Sequence, residues 1–157
     1  MSRSLLALLL LLGLSGCVST YHNPGLRTRA YLYDAYHAWE SGKNADALAA
    51  IKRALGSAQK ENVPGHILVE VYDDAGLYFN LAGQYQDSAF YQSVAVLLSR
   101  KIELSERMKN FYQANLGTAL TAANQGMALD EHAADTERLL AIPGVRENPH
   151  IRKYYGL

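Results

Sequence analysis

LAGQYQDSAFYQSVAV, Leu81 to Val96, decides the fold. Gly83 stands between two stretches in which apolar and small residues recur at helical spacing, Ile67 to Leu81 before it and Gln86 to Lys101 after it. The segment therefore reads as a helix, a tight turn and a second helix. Outward from it the pattern continues. Tyr31 to Ser41 is a helix ended by Gly42, Asp46 to Ser57 a second, and Glu103 to Asn124 a fifth, ended near Gly126. Asp130 is a candidate N-cap for a sixth, which runs to about Ala141 before Pro143 and Gly144 stop it. The closing VRENPHIRKYYGL leaves room for a further turn or two. Hardly any stretch alternates as a strand would, so the expected class is all-α, with about six helices.

Compared in pairs, the helices repeat. Tyr31, Ala35, Ala38, Gly42, Ala47, Ile51, Ala54 and Leu55 recur 41 residues later as Tyr72, Gly76, Phe79, Gly83, Ser88, Gln92, Ala95 and Val96. Leu116, Gly117 and Leu120 echo the first helix of a third copy. With LAGQY at the turn and small residues where two antiparallel helices meet, residues 30–101 resemble a tetratricopeptide repeat. The resemblance implies a short solenoid of helical hairpins over 30–157. Two departures are visible. The period exceeds the usual 34, a surplus that GSAQKENVPG (Gly56 to Gly65) accounts for if it lengthens the link between helices. Gln92 stands where the family places a large apolar residue, with Tyr91 beside it as the substitute.

At the other end of the chain, Leu5 to Leu14 is an apolar run of leucine, alanine and glycine, too short to span a bilayer, which takes roughly 20 residues. Arg3 precedes it and Ser15 and Gly16 follow, the three-part layout of a secretory signal. Leu14-Ser15-Gly16-Cys17 resembles the lipobox of bacterial lipoproteins, which implies cleavage of residues 1–16 and acylation of Cys17. The rival readings of Cys17 are a free thiol on a secreted protein and a buried core cysteine. Two or more acyl chains anchor stably where one does not. Val18 follows the cysteine in place of the aspartate that commonly retains such proteins in the inner membrane, so the resemblance implies the outer membrane and a periplasmic orientation. Residues 17–29, with Pro24 and Gly25, read as a lipidated tether.

Removal of residues 1–16 leaves about 140 residues, enough for one domain with a core and too few for two comfortable ones. Acidic and basic side chains balance, 15 against 15, without long runs, so no basic face recommends nucleic acid. A single cysteine permits no disulfide within the chain and no cysteine-based metal site. No cofactor is expected.

Enzyme signatures are missing: no G-x-S-x-G elbow, phosphate-cradling glycine loop or H-E-x-x-H pair occurs. Asp130, Glu131, His132 and Asp135 include possible metal ligands, but acidic residues in a first helical turn are what the helix dipole favours. Glu70, Asp73 and Asp74 share one helix face, as an acid–base pair or, more simply, as a solvated or partner-binding face. His37 and His66 lack partners at metal spacing.

Eleven tyrosines are many for this length, and those at repeat positions, such as Tyr72, Tyr78 and Tyr85, are expected to pack helix on helix. In the family the chain resembles, the first helices of successive repeats line a groove. The resemblance places Arg29, Tyr33, Tyr36, Asp73, Asp74, Leu77, Asn80 and Asn115 there. Aromatic side chains among charges are what a peptide groove uses. The expected function is a non-enzymatic outer-membrane adaptor that binds another envelope protein or a peptide segment of one, in secretion, pilus or polysaccharide export or in peptidoglycan machinery. The alternatives are a cell-wall enzyme or its regulator, with Glu70, Asp73 and Asp74 as its carboxylates, and a periplasmic immunity protein.

Overall fold

The computed structural model describes residues 25–123 and 135–157. Cys17, Asn124, Gly126, Asp130, Glu131 and His132 lie outside them. The described residues form seven helices and no strand: α1 (Leu26–Glu40), α2 (Asn44–Lys60), α3 (Gly65–Leu81), α4 (Tyr85–Lys101), α5 (Glu106–Ala122), α6 (Thr136–Leu140) and α7 (Pro149–Tyr155). The all-α hairpin architecture read from the sequence is the one observed. Among the described residues no helix is long and apolar enough to cross a membrane.

The 41-residue spacing is written into the backbone. Gly42 and Gly83 take φ of 71° and 74°, the left-handed conformation that closes a helix with a glycine. After them Lys43 and Gln84 share φ of −91° with ψ of 65° and 66°. In each turn the same pair of carbonyls is capped: Gly42 N–H donates to Trp39 and Lys43 N–H to Ala38, as Gly83 N–H does to Asn80 and Gln84 N–H to Phe79. Helices α2 and α4 begin and end in the same register, and so do α3 and α5. Two sequence readings are corrected here. The long period does not come from a long link, since α2 runs on through Gly56 to Lys60 and only residues 61–64 join it to α3. Ser57 and Ala58 are buried in that extension, which gives the extra turn a packing partner. The domain also begins earlier than residue 30, because α1 starts at Leu26 and Thr28 is fully buried, its hydroxyl donating to Ser57 Oγ at 3.0 Å.

Helices α1 with α2, and α3 with α4, pack as hairpins, and α1, α3 and α5 lie side by side. The core runs between the layers, with Ala35, Ile51, Val69, Leu97, Leu98 and Leu116 among its buried members. Gly76 permits the tightest approach. A Cβ built there would meet Gln92 Cγ at 2.4 Å, and the neighbouring Ser88 hydroxyl donates to the Gly76 carbonyl at 2.7 Å. Gln92 therefore fills a position where the internal repeat leads one to expect an apolar residue by lying on a glycine, with its Nε2 donating to the Asp73 carbonyl at 2.9 Å.

The C-terminal segment closes the other side of the molecule. Ile142, Val145 and Ile151 are buried, and both α6 and α7 pack against α4. Asn148 caps α7, its Oδ1 accepting from His150 N–H and Ile151 N–H, with Pro149 at the first helical position. Asn148 Nδ2 donates to the Tyr72 hydroxyl at 3.0 Å, and that hydroxyl lies 2.8 Å from His150 Nδ1. The Tyr72 hydroxyl also lies within donating distance of Asn148 Oδ1, at 3.3 Å. Burial holds the His150 pKa below its ordinary value, as does Lys153, against an opposing hydrogen bond to the Ala58 carbonyl. Tyr155 ties the end of α7 to the Leu97 carbonyl at 2.8 Å.

Candidate functional site

The face formed by α1, α3 and α5 carries the sequence-predicted groove residues. On α1, Arg29, Tyr33, Tyr36 and Glu40 follow one another at spacings of three and four, so they share a side. Tyr33 and Tyr36 are 65% and 52% exposed, although apolar rings of this size are normally covered. His37 stacks edge-on against both, with ring centroids 4.1 and 5.4 Å away, and its Nδ1 lies 3.4 Å from Glu40 Oε2. The Tyr36 hydroxyl donates to Glu40 Oε1. Arg29 is exposed, with Nη2 3.5 Å from His66 Nε2 at the start of α3.

On α3 the exposed side chains are Glu70 and Leu77, with Asp74 and Asn80 partly covered. Asp73 departs from the groove reading. It is 7% exposed and points at α5, where Asn115 Nδ2 donates to both carboxylate oxygens at 2.9 and 3.1 Å. Asp73 is thus a clamp between two helices, placed inward because a neutral amide meets it from α5. Burial pushes its pKa up, while the Asn115 and Gln92 hydrogen bonds oppose the shift.

Asp74, half-buried on the α1 side of the helix, has its pKa pushed up to about 7 by burial and by the charges of Asp73 and Glu70. Neighbouring hydroxyls register the same field. Tyr112 of α5 is pushed up to about 12, by burial first and then by Asp73, Glu70 and Asp74. Tyr78 is raised by burial first and then by Asp74 on its own helix and Tyr36 and Glu40 on α1.

Phe111, 53% exposed, and Met108 were missed in the sequence reading. Their spacing to Asn115, four and seven residues, was the available signal, because it sets all three on one side of α5. Of the tyrosines expected in the core, Tyr72 and Tyr78 are buried, whereas Tyr85 is 45% exposed on the first turn of α4. Asp135 caps α6 by accepting from Glu137 N–H at 3.3 Å, the role the sequence gives to Asp130, which lies outside the described residues. Among the described residues no three His, Cys, Asp or Glu side chains gather as metal ligands.

The arrangement is an open face about three helices wide, with aromatic and apolar side chains at its margins and carboxylates along its middle. Side chains of this kind can bind an extended or helical segment, and Asp74 can exchange a proton near neutral pH. No family model, curated protein or solved structure matches the chain.

Proposed function

We propose that the protein is a non-enzymatic, tetratricopeptide-like adaptor, lipidated at Cys17, held on the periplasmic side of a bacterial outer membrane, and that it binds a segment of another envelope protein on the α1–α3–α5 face. The observation that carries this reading is the solvent exposure of Tyr33, Tyr36, Leu77 and Phe111 on that one face. Rings held open on a rigid helical scaffold bind without ordering a loop, and aromatic anchors dominate such interfaces. The lipobox-like tetrapeptide Leu14-Ser15-Gly16-Cys17 supports the anchor. Affinity capture from detergent-solubilised envelopes, compared between wild type, Tyr36→Ala and Phe111→Ala, tests it. One partner retained by wild type and lost by both variants, with unchanged melting, is the expected result. Equal retention by all three contradicts it.

A second reading has one observation in its favour. Asp74, with its pKa near 7, is poised as a general acid or base for a cell-wall hydrolase. Asp73 is withheld from such a pair by Asn115, which leaves Glu70 as the accompanying carboxylate. Turnover of cell-wall substrate that vanishes in Asp74→Asn would favour the enzyme.

A further inference from the structure

Glu70, Asp73 and Asp74 bring three carboxylates onto one stretch of α3, and among the described residues no lysine, arginine or histidine nitrogen comes within ion-pairing distance of any of them. The ion pairs of the described residues lie elsewhere, as Arg27–Glu61, His37–Glu40, Lys109–Glu106 and Arg146–Glu137. Asp73 is met by a neutral amide. Around Asp74 stand Glu70 and Asp73 on its own helix, Tyr78 one turn on and Tyr112 on α5, while Tyr36 and Glu40 of α1 face Tyr78. All are acidic or neutral. Arg29 lies against His66, and His37 lies against Glu40; Arg107, one turn before Phe111, is exposed at the α5 margin of the face.

A partly buried carboxylate without a counter-charge is costly to the fold, and an arriving ammonium or guanidinium removes that cost while forming charge-assisted hydrogen bonds. The open rings of Tyr33 and Tyr36 add faces on which a cation or its alkyl stem can lie. An acidic segment meets repulsion on the same surface. Three adjacent helices at spacings of about 10 Å are crossed by an extended chain of about seven residues.

We propose that the α1–α3–α5 face takes a lysine- or arginine-bearing peptide segment of its partner protein, the cation seated over Glu70 and Asp74 and the flanking apolar side chains on Tyr36, Leu77 and Phe111. This rests on the reading of that face as a docking surface, and it names what the surface selects.

The test titrates the full chain, in non-ionic detergent, with fluorescent peptides of about ten residues that share the same phenylalanine and leucine positions. Their remaining positions are lysine, glutamine or glutamate. The lysine peptide is expected to bind about tenfold or more tighter than the glutamine peptide, with the glutamate peptide weakest. Asp74→Asn with Glu70→Gln removes that preference, Asp46→Asn at the exposed start of α2 keeps it, and Tyr36→Ala weakens all binding. Equal binding of lysine and glutamine peptides, still weakened by Tyr36→Ala, overturns the cation proposal while the docking surface stands. Binding that ignores Tyr36→Ala and Phe111→Ala, or no binding by any of the peptides, overturns the cation proposal together with its surface. Melting of each variant separates these results from loss of fold.

Discussion

Gln92 lies flat across Gly76, so close that a methyl group on the glycine would stand 2.4 Å from Gln92 Cγ. This contact joins α3 to α4 and explains two sequence features at once: a glycine inside a helix, where it costs stability, and a glutamine where the repeat pattern asks for an apolar residue. Gln92 Oε1 is left without a hydrogen-bond partner among the described residues. Gly76→Ala is therefore expected to destabilise the protein by about 1–3 kcal/mol, the usual range for overpacking. In a Gln92→Ala background the same substitution is expected to be nearly neutral. Urea denaturation of the two single variants and the double variant measures that coupling.

Asp73 and Asn115 form the corresponding contact between α3 and α5. Asn115→Ala strands a buried carboxylate and is expected to cost about 1–3 kcal/mol. Asp73→Asn, which keeps an acceptor and removes the charge, is expected to cost less. Thermal melting of both variants checks the order. Equal melting of all three proteins would return Asp73 to the exposed role that the sequence reading gave it.

Asp74 sets a dependence on pH. Its folded pKa, about 7, stands above its ordinary value of 3.8, so the folded state binds the proton more tightly. The stabilisation is present below the unfolded value and is lost as pH rises through about 7. Asp74→Asn removes the dependence, and its Tm is expected to exceed that of wild type by about 3 °C or more at pH 8. The difference is expected to shrink towards pH 5. Melting curves of the pair from pH 5 to 8 give the result.

His150 works in the opposite direction. Its pKa is lowered below 6.5, so the unfolded state binds the proton more tightly, and its contribution, present above 6.5, is lost as pH falls through the folded value. Tyr72→Phe deletes the hydroxyl shared by Asn148 and His150 and is expected to cost about 1 kcal/mol or more at pH 7.5. Amide hydrogen exchange is expected to show α7 losing protection first. Uniform loss across all helices would contradict a local role for this network.

Much of this was legible in the sequence because the signals are local. Gly42 and Gly83 marked the hairpin turns, and the residues 41 apart gave the register that the backbone repeats. What escaped depends on partners far along the chain. The resemblance sets Asp73 in the groove, and helical spacing groups it with Glu70 and Asp74; only Asn115, brought in by the next repeat, turns it inward. The start of α1 at Leu26 escaped because Thr28 reads as polar linker until Ser57 is set beside it. Phe111 and Met108 were hidden by weak repeat similarity in α5, although their spacing to Asn115 placed them on its face.

Anchoring is separable from the fold. If Cys17 carries lipid, Cys17→Ala is expected to abolish metabolic palmitate labelling and the attachment to outer-membrane fractions. The helical circular dichroism spectrum is expected to stay as it is. A Cys17→Ala protein that still labels and fractionates with the outer membrane would contradict the lipobox reading.

The central claim is that partners dock on the face shared by α1, α3 and α5, and it is tested most directly by photocrosslinking in intact cells. A photoreactive amino acid is placed at Leu77 or Phe111 on that face, or at the exposed Gln59 of α2. The account predicts the same crosslinked protein from Leu77 and Phe111, its disappearance when Tyr36→Ala is added, and no such product from Gln59. The same product from Gln59 alone, or at equal yield from all three positions regardless of Tyr36, would contradict it.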